Sequence, residues 1–423
     1  MFPNGERRAL LIDDLGVPEP YSTLYVTMRL RNAGKSVATQ EAHLNSINVL
    51  LAHSVSHRLE LNNRFGRNSL LNAMECEALR VSVQQHRGPA AKAQHNVLSI
   101  KGGKNGHVYK GMTVKPAQQH SRLTHIANYL QWLWQYLSST GLRQNIDQGA
   151  YELNRMVRNI LVLRPMVTNR GSDVTKPEFT REHYAVLSTA MKPGSERNPF
   201  SSEVQLRNQL TVSLMALLGE RRGGILNLRV GDINFGKSQI NIIRRSDSKE
   251  DPRINQPRVK TREHTLPVGP ALMDLMRQYL ELRRSIPGAR KHPYMLVTHK
   301  QGPTLGKPMT IPGLNQVFKT INDAALGIPT LYPHLLRHFF QTQLAEEQLS
   351  QPATPQSRET DRRVRNELAG RRPDSEVDSI YTKHAIEREA TKVTLKLQGS
   401  IGKSEESIPS QEALLSPPRP LKA

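Results

Sequence analysis

The residues best suited to chemistry lie in the second half of the chain, in four short patterns that follow one another in order. Leu218-Gly-Glu-Arg-Arg-Gly-Gly-Ile-Leu-Asn-Leu-Arg-Val-Gly-Asp-Ile233 reads as a helix end, a turn carrying an Arg pair, and an apolar run into a strand. Val259-Lys-Thr-Arg-Glu-His-Thr-Leu-Pro267 puts Lys260 at the edge of a hairpin. In Pro333-His-Leu-Leu-Arg-His-Phe-Phe340, His334 and Arg337 are three apart and share one helix face. The fourth pattern, Leu368-Ala-Gly-Arg-Arg-Pro-Asp-Ser-Glu-Val-Asp-Ser-Ile-Tyr-Thr-Lys-His384, carries Tyr381 near its end. Each pattern taken singly describes ordinary surface or packing residues. In this order and combination they fit one phosphoryl-transfer site.

These groups need a scaffold, and the apolar spacing supplies one. Helical runs span Val204 to Leu218 and Pro270 to Arg284, with β-type segments between them at Arg229 to Ile233, Gln239 to Arg244 and Glu263 to Val268. The charged stretch Arg245 to Arg262, with Pro252 and Pro257, reads as the loop of an extended hairpin in a small antiparallel sheet. Further helices follow through about Gln398, interrupted by a polar insert at Ser350 to Thr360. In the first 165 residues, Leu123, Ile126, Leu130, Leu133 and Leu137 make one continuous stripe, the mark of a long helix with one buried face. Leu44, Ile47 and Leu51 repeat the pattern in a helix starting near Thr39, and Leu153, Met156, Val157, Ile160 and Leu161 do so before Pro165. Lys101 to Gly106 reads as a loop rich in Gly and Lys. The expectation is therefore an N-terminal segment (1–19), an all-helical domain (20–165), a linker (166–178), a catalytic domain (179–399) and a disordered tail (400–423).

Charge narrows the partners. A chain of 423 residues with a formal net charge of +22 needs a polyanion to offset its self-repulsion, and duplex DNA leads. An aromatic content of 5% argues against single-strand binding by serial base stacking. Cys76 is the single cysteine, which excludes an intrachain disulfide and a cysteine zinc cluster and points to a reducing cytoplasm. No apolar stretch approaches the roughly 20 residues that span a bilayer, so no membrane partner is expected.

Over about residues 180 to 395 the sequence resembles the tyrosine recombinases, or phage-type integrases. These carry an Arg in a G-x-R turn, a hairpin Lys, an H-x-x-R-H helix, a later His or Trp, and a Tyr nucleophile about nine residues beyond it. Arg221, Lys260, His334, Arg337 and Tyr381 occupy the matching positions, and the I-L-N-L-x-x-x-D-I continuation and final I-Y-T also match. The resemblance implies a fold that is mainly α with a small antiparallel β-sheet (α+β), in which a helical core-binding domain and a catalytic domain form a two-domain clamp on DNA. It implies a site-specific recombinase that needs neither metal nor ATP, working as a homotetramer on two DNA sites from a monomer when free. It leaves room for accessory DNA-bending or directionality proteins, and a cytoplasmic, nucleoid-associated location follows. The segment His384 to Leu397 is a candidate for packing on a neighbouring protomer.

The chemistry explains the residue types. A tyrosine nucleophile conserves the energy of the broken DNA bond as a phosphodiester to the protein. Arg221 and Arg337 would hold the non-bridging oxygens through guanidinium forks, Lys260 would protonate the departing 5′ oxygen, and His334 would donate to the phosphate or accept the tyrosine proton. Three departures stand out. Gly224 replaces the acid that often follows the first Arg by three. The later His or Trp is missing: counting back nine from Tyr381 gives Arg372, while the local L-G-H-like match gives Arg371. The lengthened hairpin leaves Lys249 as the fallback for Lys260. Two other readings remain: type IB topoisomerase-like relaxation of DNA, and a DNA-binding protein of the same fold whose chemistry has decayed.

Overall fold

The computed structural model describes residues 2–87, 97–99, 108–139, 146–166, 178–351, 354–372, 374–375 and 394–395. The chain divides into two compact units, Met1–Lys176 and Pro177–Ala423. Tyr381, the Lys101 to Gly106 loop, nearly all of the expected linker, the tail and all of His384 to Leu397 except Thr394 and Leu395 lie outside the described residues.

The first unit contains β1 (Leu10–Ile12), α1 (Pro20–Tyr25), a π-helical turn (Val26–Arg31), α2 (Val37–Ser56), α3 (Leu61–Gly66) and α4 (Ala73–Gln84). Then come β2 (Gln85–Arg87), β3 (Val97–Ser99), β4 (Val108–Thr113), α5 (Pro116–Ser139) and α6 (Ile146–Val162). Local chemistry sets the helix starts: Ser36 accepts from Thr39 N ahead of α2, and Asn72 and Glu75 close a reciprocal capping box on α4. The stripe Leu123, Ile126, Leu130 and Leu133 on α5 is fully buried, in one core with Leu44, Ile47 and Leu50 of α2. The all-helical expectation needs correction. β1 pairs in parallel with β3, and β2 pairs antiparallel with β4. Strands of three residues are too short to show a period of two in the sequence. Ala9 and Leu11 are buried, so residues expected to precede the domain belong to its core.

The second unit is helical around one small sheet. Its helices are α7 (Arg181–Ala190), α8 (Ser202–Leu218), α9 (Arg222–Asn227), α10 (Pro270–Ser285), α11 (Ile311–Asp323), α12 (Pro333–Leu349) and α13 (Pro355–Leu368). The strands β5 (Ile233–Asn234), β6 (Gln239–Ile242) and β7 (His264–Pro267) form an antiparallel sheet in that order, with Ile240 opposite Leu266. Leu210, Leu214 and Met215 of α8 are buried in one core with Ile240, Leu266, Met276 and Leu336.

Two expectations change here. Of the expected strand Arg229 to Ile233, only Ile233 pairs within the sheet; Arg229 makes a single bridge to Tyr294, and Val230–Asp232 is a tight 3₁₀ turn. Asp232 causes the turn, because its carboxylate accepts from Arg229 N and from the guanidinium of Arg245. The polar insert at 350–360 is half helix: Thr354 accepts from Ser357 N and Pro355 occupies the first turn, which starts α13.

The long connection between β6 and β7 is pinned near its middle. Arg253 pairs with Asp251 at 2.8 Å, donates to the carbonyls of Leu226 and Met309, and lies over the Tyr294 ring. Arg253 and Asp251 are both buried, so the pair is a tie into the core rather than a surface contact.

Candidate active site

Four segments converge near the C-terminal end of α8. Arg221 caps α9, and Arg337 sits on α12 one turn after His334. The turn after α13 carries Arg371. The hairpin strand β7 follows Lys260 by a few residues.

Arg337 is completely buried. Its Nη1 donates to the Gly219 carbonyl at 2.8 Å and its Nη2 to the Ala369 carbonyl at 3.0 Å. One side chain thus ties α12 to the end of α8 and to the end of α13. The hairpin is tied to the same place, since Arg262 N donates to the Gly370 carbonyl at 2.8 Å.

His334, at the solvent end of α12, reports what surrounds it. Partial desolvation, then the positive charges of Arg337, Arg221 and Arg371, hold its imidazole below the usual histidine range. Three of the arginines singled out in the sequence therefore act on one ring. Near pH 7 that ring is neutral and can accept a proton. His338 packs edge-on against it, with ring centroids 4.5 Å apart.

Arg371 and Arg372 separate clearly. Arg371 is 7% exposed and acts on His334, whereas Arg372 is exposed and is not among the charges acting on that ring. Arg371 is thus the one that the fold turns toward the cluster.

Arg221 is half-buried, and its guanidinium makes no hydrogen bond to any described residue. The Gly-Gly pair that follows explains how the hairpin reaches it. A Cβ on Gly223 would lie 2.1 Å from the carbonyl oxygen of Arg258, so only glycine admits the hairpin backbone there. Lys260 is two residues further on and is exposed, as is Lys249. Tyr381, the expected nucleophile, lies outside the described residues.

Sequence reasoning passed over one buried acid, Glu220. It lies 3.8 Å from Arg337 Nη1 and 3.6 Å from His264 Nε2, with essentially no exposure. Burial pushes its carboxyl up, against the opposing pull of Arg337. The signal was available: an acid directly before the Arg pair, with glycine where an acid was expected.

Among the described residues no group of three or more His, Cys, Asp and Glu side chains is placed to hold a metal ion. No described helix is long and apolar enough to cross a membrane.

Comparison with known proteins accords with this geometry. Residues 186–355 match the phage integrase family, a stretch that holds Arg221, Lys260, His334 and Arg337 and ends before Arg371. Transposase A from transposon Tn554 of Staphylococcus aureus is 26% identical over 328 residues, covering 75% of this chain and 78% of that protein. Tyrosine recombinase XerC of Staphylococcus carnosus is 25% identical over 142 residues, 34% of this chain and 41% of that protein. Among solved structures, a lambda integrase dimer bound to a COC′ core site superposes with a TM-score of 0.44 at 13% identity, covering 85% of this chain and 75% of that one. The motifs up to Arg337 thus fall, in order, within the stretch that matches the phage integrase family, and the likeness to the Tn554 transposase spans three quarters of the chain.

Proposed function

We propose that the protein is a site-specific recombinase that cuts and rejoins duplex DNA through a 3′-phosphotyrosyl link at Tyr381. The observation that carries this reading is the gathering of Arg221, at the start of α9, Arg337, on α12, and Arg371, in the turn that Arg337 holds, around His334, three positive charges where a phosphate would be drawn. The Tyr381 oxygen attacks phosphorus, the bond to the 5′ oxygen breaks, and the phenolic proton passes to neutral His334. Lys260 protonates the departing 5′ oxygen, so that charge and protons balance. Arg221 and Arg371 serve as forks for the non-bridging oxygens. Arg337, held by two backbone carbonyls, supplies a fixed positive charge beneath them. Rejoining reverses these steps when the 5′ hydroxyl of a partner strand attacks the tyrosyl ester.

The net charge of +22 supports duplex DNA as partner. A homotetramer on two DNA sites, accessory proteins and action on the nucleoid in the cytoplasm belong to the same proposal, as does a role in moving a genetic element. The Tn554 transposase likeness supports that last role.

The decisive experiment uses a nicked duplex that traps the cleaved intermediate, with adducts scored on a denaturing gel. Wild type should form an adduct at a recurrent site. Tyr381→Phe, which removes only a hydroxyl, should bind DNA equally and form none. A 3′-linked adduct from Tyr381→Phe would reassign the nucleophile, and adducts scattered over the DNA would favour topoisomerase-like relaxation.

A further inference from the structure

Glu220 and Gly224 form an exchanged pair. An acid is expected at position 224, three residues beyond Arg221, yet glycine stands there. A Cβ built on Gly224 would lie 2.6 Å from Oε1, 2.7 Å from Cγ and 2.9 Å from Cδ of Glu220. The volume that a side chain at 224 would enter is therefore filled by the carboxylate of Glu220, and glycine at 224 is what lets it in.

That carboxylate faces two buried partners, Arg337 and His264, at 3.8 and 3.6 Å. The Arg221 backbone N–H and the charges of Arg337, His264 and Arg221 all favour the ionised carboxylate there, against the cost of its burial. Its partners come from two separate segments, α12 and β7, and Arg337 in turn holds the turn that carries Arg371. Removing the carboxylate would leave the Arg337 guanidinium buried among other positive groups.

We infer that Glu220 is the positioning residue of the active site, a carboxylate moved from position 224 to position 220 that fixes Arg337 and, through it, the turn bearing Arg371. The inference rests on the recombinase reading above.

The exchange itself can be tested. Wild type, Glu220→Gln, Glu220→Ala, Gly224→Asp and the double variant Glu220→Ala/Gly224→Asp are compared for single-turnover adduct formation, DNA binding and thermal midpoint. Alanine is chosen at 220 because any γ-carbon there would sit 2.7 Å from the new Cβ. Glu220→Gln keeps the shape and should bind DNA as wild type does while cleaving roughly 10- to 100-fold more slowly, the cost of a group misplaced by about 1 Å. Gly224→Asp alone should be crippled by the clash. The double variant should regain at least tenfold in cleavage over Glu220→Ala, which a purely structural role for Glu220 does not predict.

Cleavage by Glu220→Gln within twofold of wild type would overturn the inference. So would a double variant that recovers its thermal midpoint but not its cleavage. If Glu220→Ala fails to fold, the glutamine variant and the double variant still decide the matter. Absence of an adduct from wild type would instead remove the recombinase reading, and this inference with it.

Discussion

Gly223→Ala adds one methyl group, and the structure says where it goes. The new Cβ would lie 2.1 Å from the Arg258 carbonyl oxygen, against an ordinary carbon to oxygen contact of about 3.3 Å. Backbone meets backbone there, so no side-chain rotation relieves the contact, and the hairpin must retreat from Arg221 by about 1 Å. Lys260, two residues along, retreats with it. Overpacking costs roughly 1–3 kcal/mol, offset by about 1 kcal/mol for exchanging glycine for alanine in a helix, so the variant should fold with a modest loss of stability. Cleavage should fall by roughly 10²-fold, because a misplaced proton donor fails at the step that releases the 5′ oxygen.

The assay separates that cause from others by changing the leaving atom. Replacing the 5′ oxygen with sulfur gives a thiol of pKa about 8.5, which departs without needing a proton. On that substrate Gly223→Ala should cleave within a few fold of wild type. Gly231→Ala, which meets nothing within 4 Å, is the control and should match wild type on both substrates. If Gly223→Ala were equally slow on both, the defect would not lie in proton donation, and the placement of Lys260 by the hairpin would be refuted.

Other perturbations read out other parts of the structure. Arg371→Ala should slow cleavage by roughly 10²- to 10³-fold, while Arg372→Ala, at an exposed site, should chiefly weaken DNA binding; the reverse ranking in the nicked-substrate assay would return the role to Arg372. Burial pushes His43 down from 6.5 to about 4, so between those values the unfolded chain binds the extra proton and the first unit loses stability as pH falls, by roughly 3 kcal/mol in total. Both tryptophans lie on α5, so fluorescence-detected urea unfolding reports this unit, and His43→Gln should flatten the pH dependence; an unchanged slope would mean another group titrates. Arg253→Leu leaves the Asp251 carboxylate buried without its ion-pair partner, and calorimetry should show a loss of roughly 3–5 kcal/mol in the second unit.

Where the sequence was legible, the reason is periodicity. The stripe through Leu123, Ile126, Leu130 and Leu133 reads directly as α5 because a long helix repeats its signal several times. The strands β1, β2 and β3 repeat theirs barely once, and they were missed. Arg229 to Ile233 carries strand-like residues, but a contact with Arg245, distant in sequence, turns it at Asp232. At the site, ordered spacing picked out Arg221, His334 and Arg337, which the fold brings together. Arg371 and Arg372 cannot be told apart by spacing, since the backbone alone decides which neighbour faces inward. Glu220 was passed over because its meaning lies in the space above Gly224, and spacing carries no volume.

Arg253 also changes what the long connection between β6 and β7 is, mechanically. A tether fixed only at its ends transmits slack along its whole length. Fixed to the carbonyls of Leu226 and Met309 near its middle, this one becomes two shorter spans, 243–250 and 254–263. Each span has its own, smaller closure entropy. Residues added to the first span are absorbed there and do not reach Lys260, which belongs to the second. The protein can therefore vary the outer part of its hairpin, as a surface for contact or for engineering, while Lys260 stays in register with Arg221.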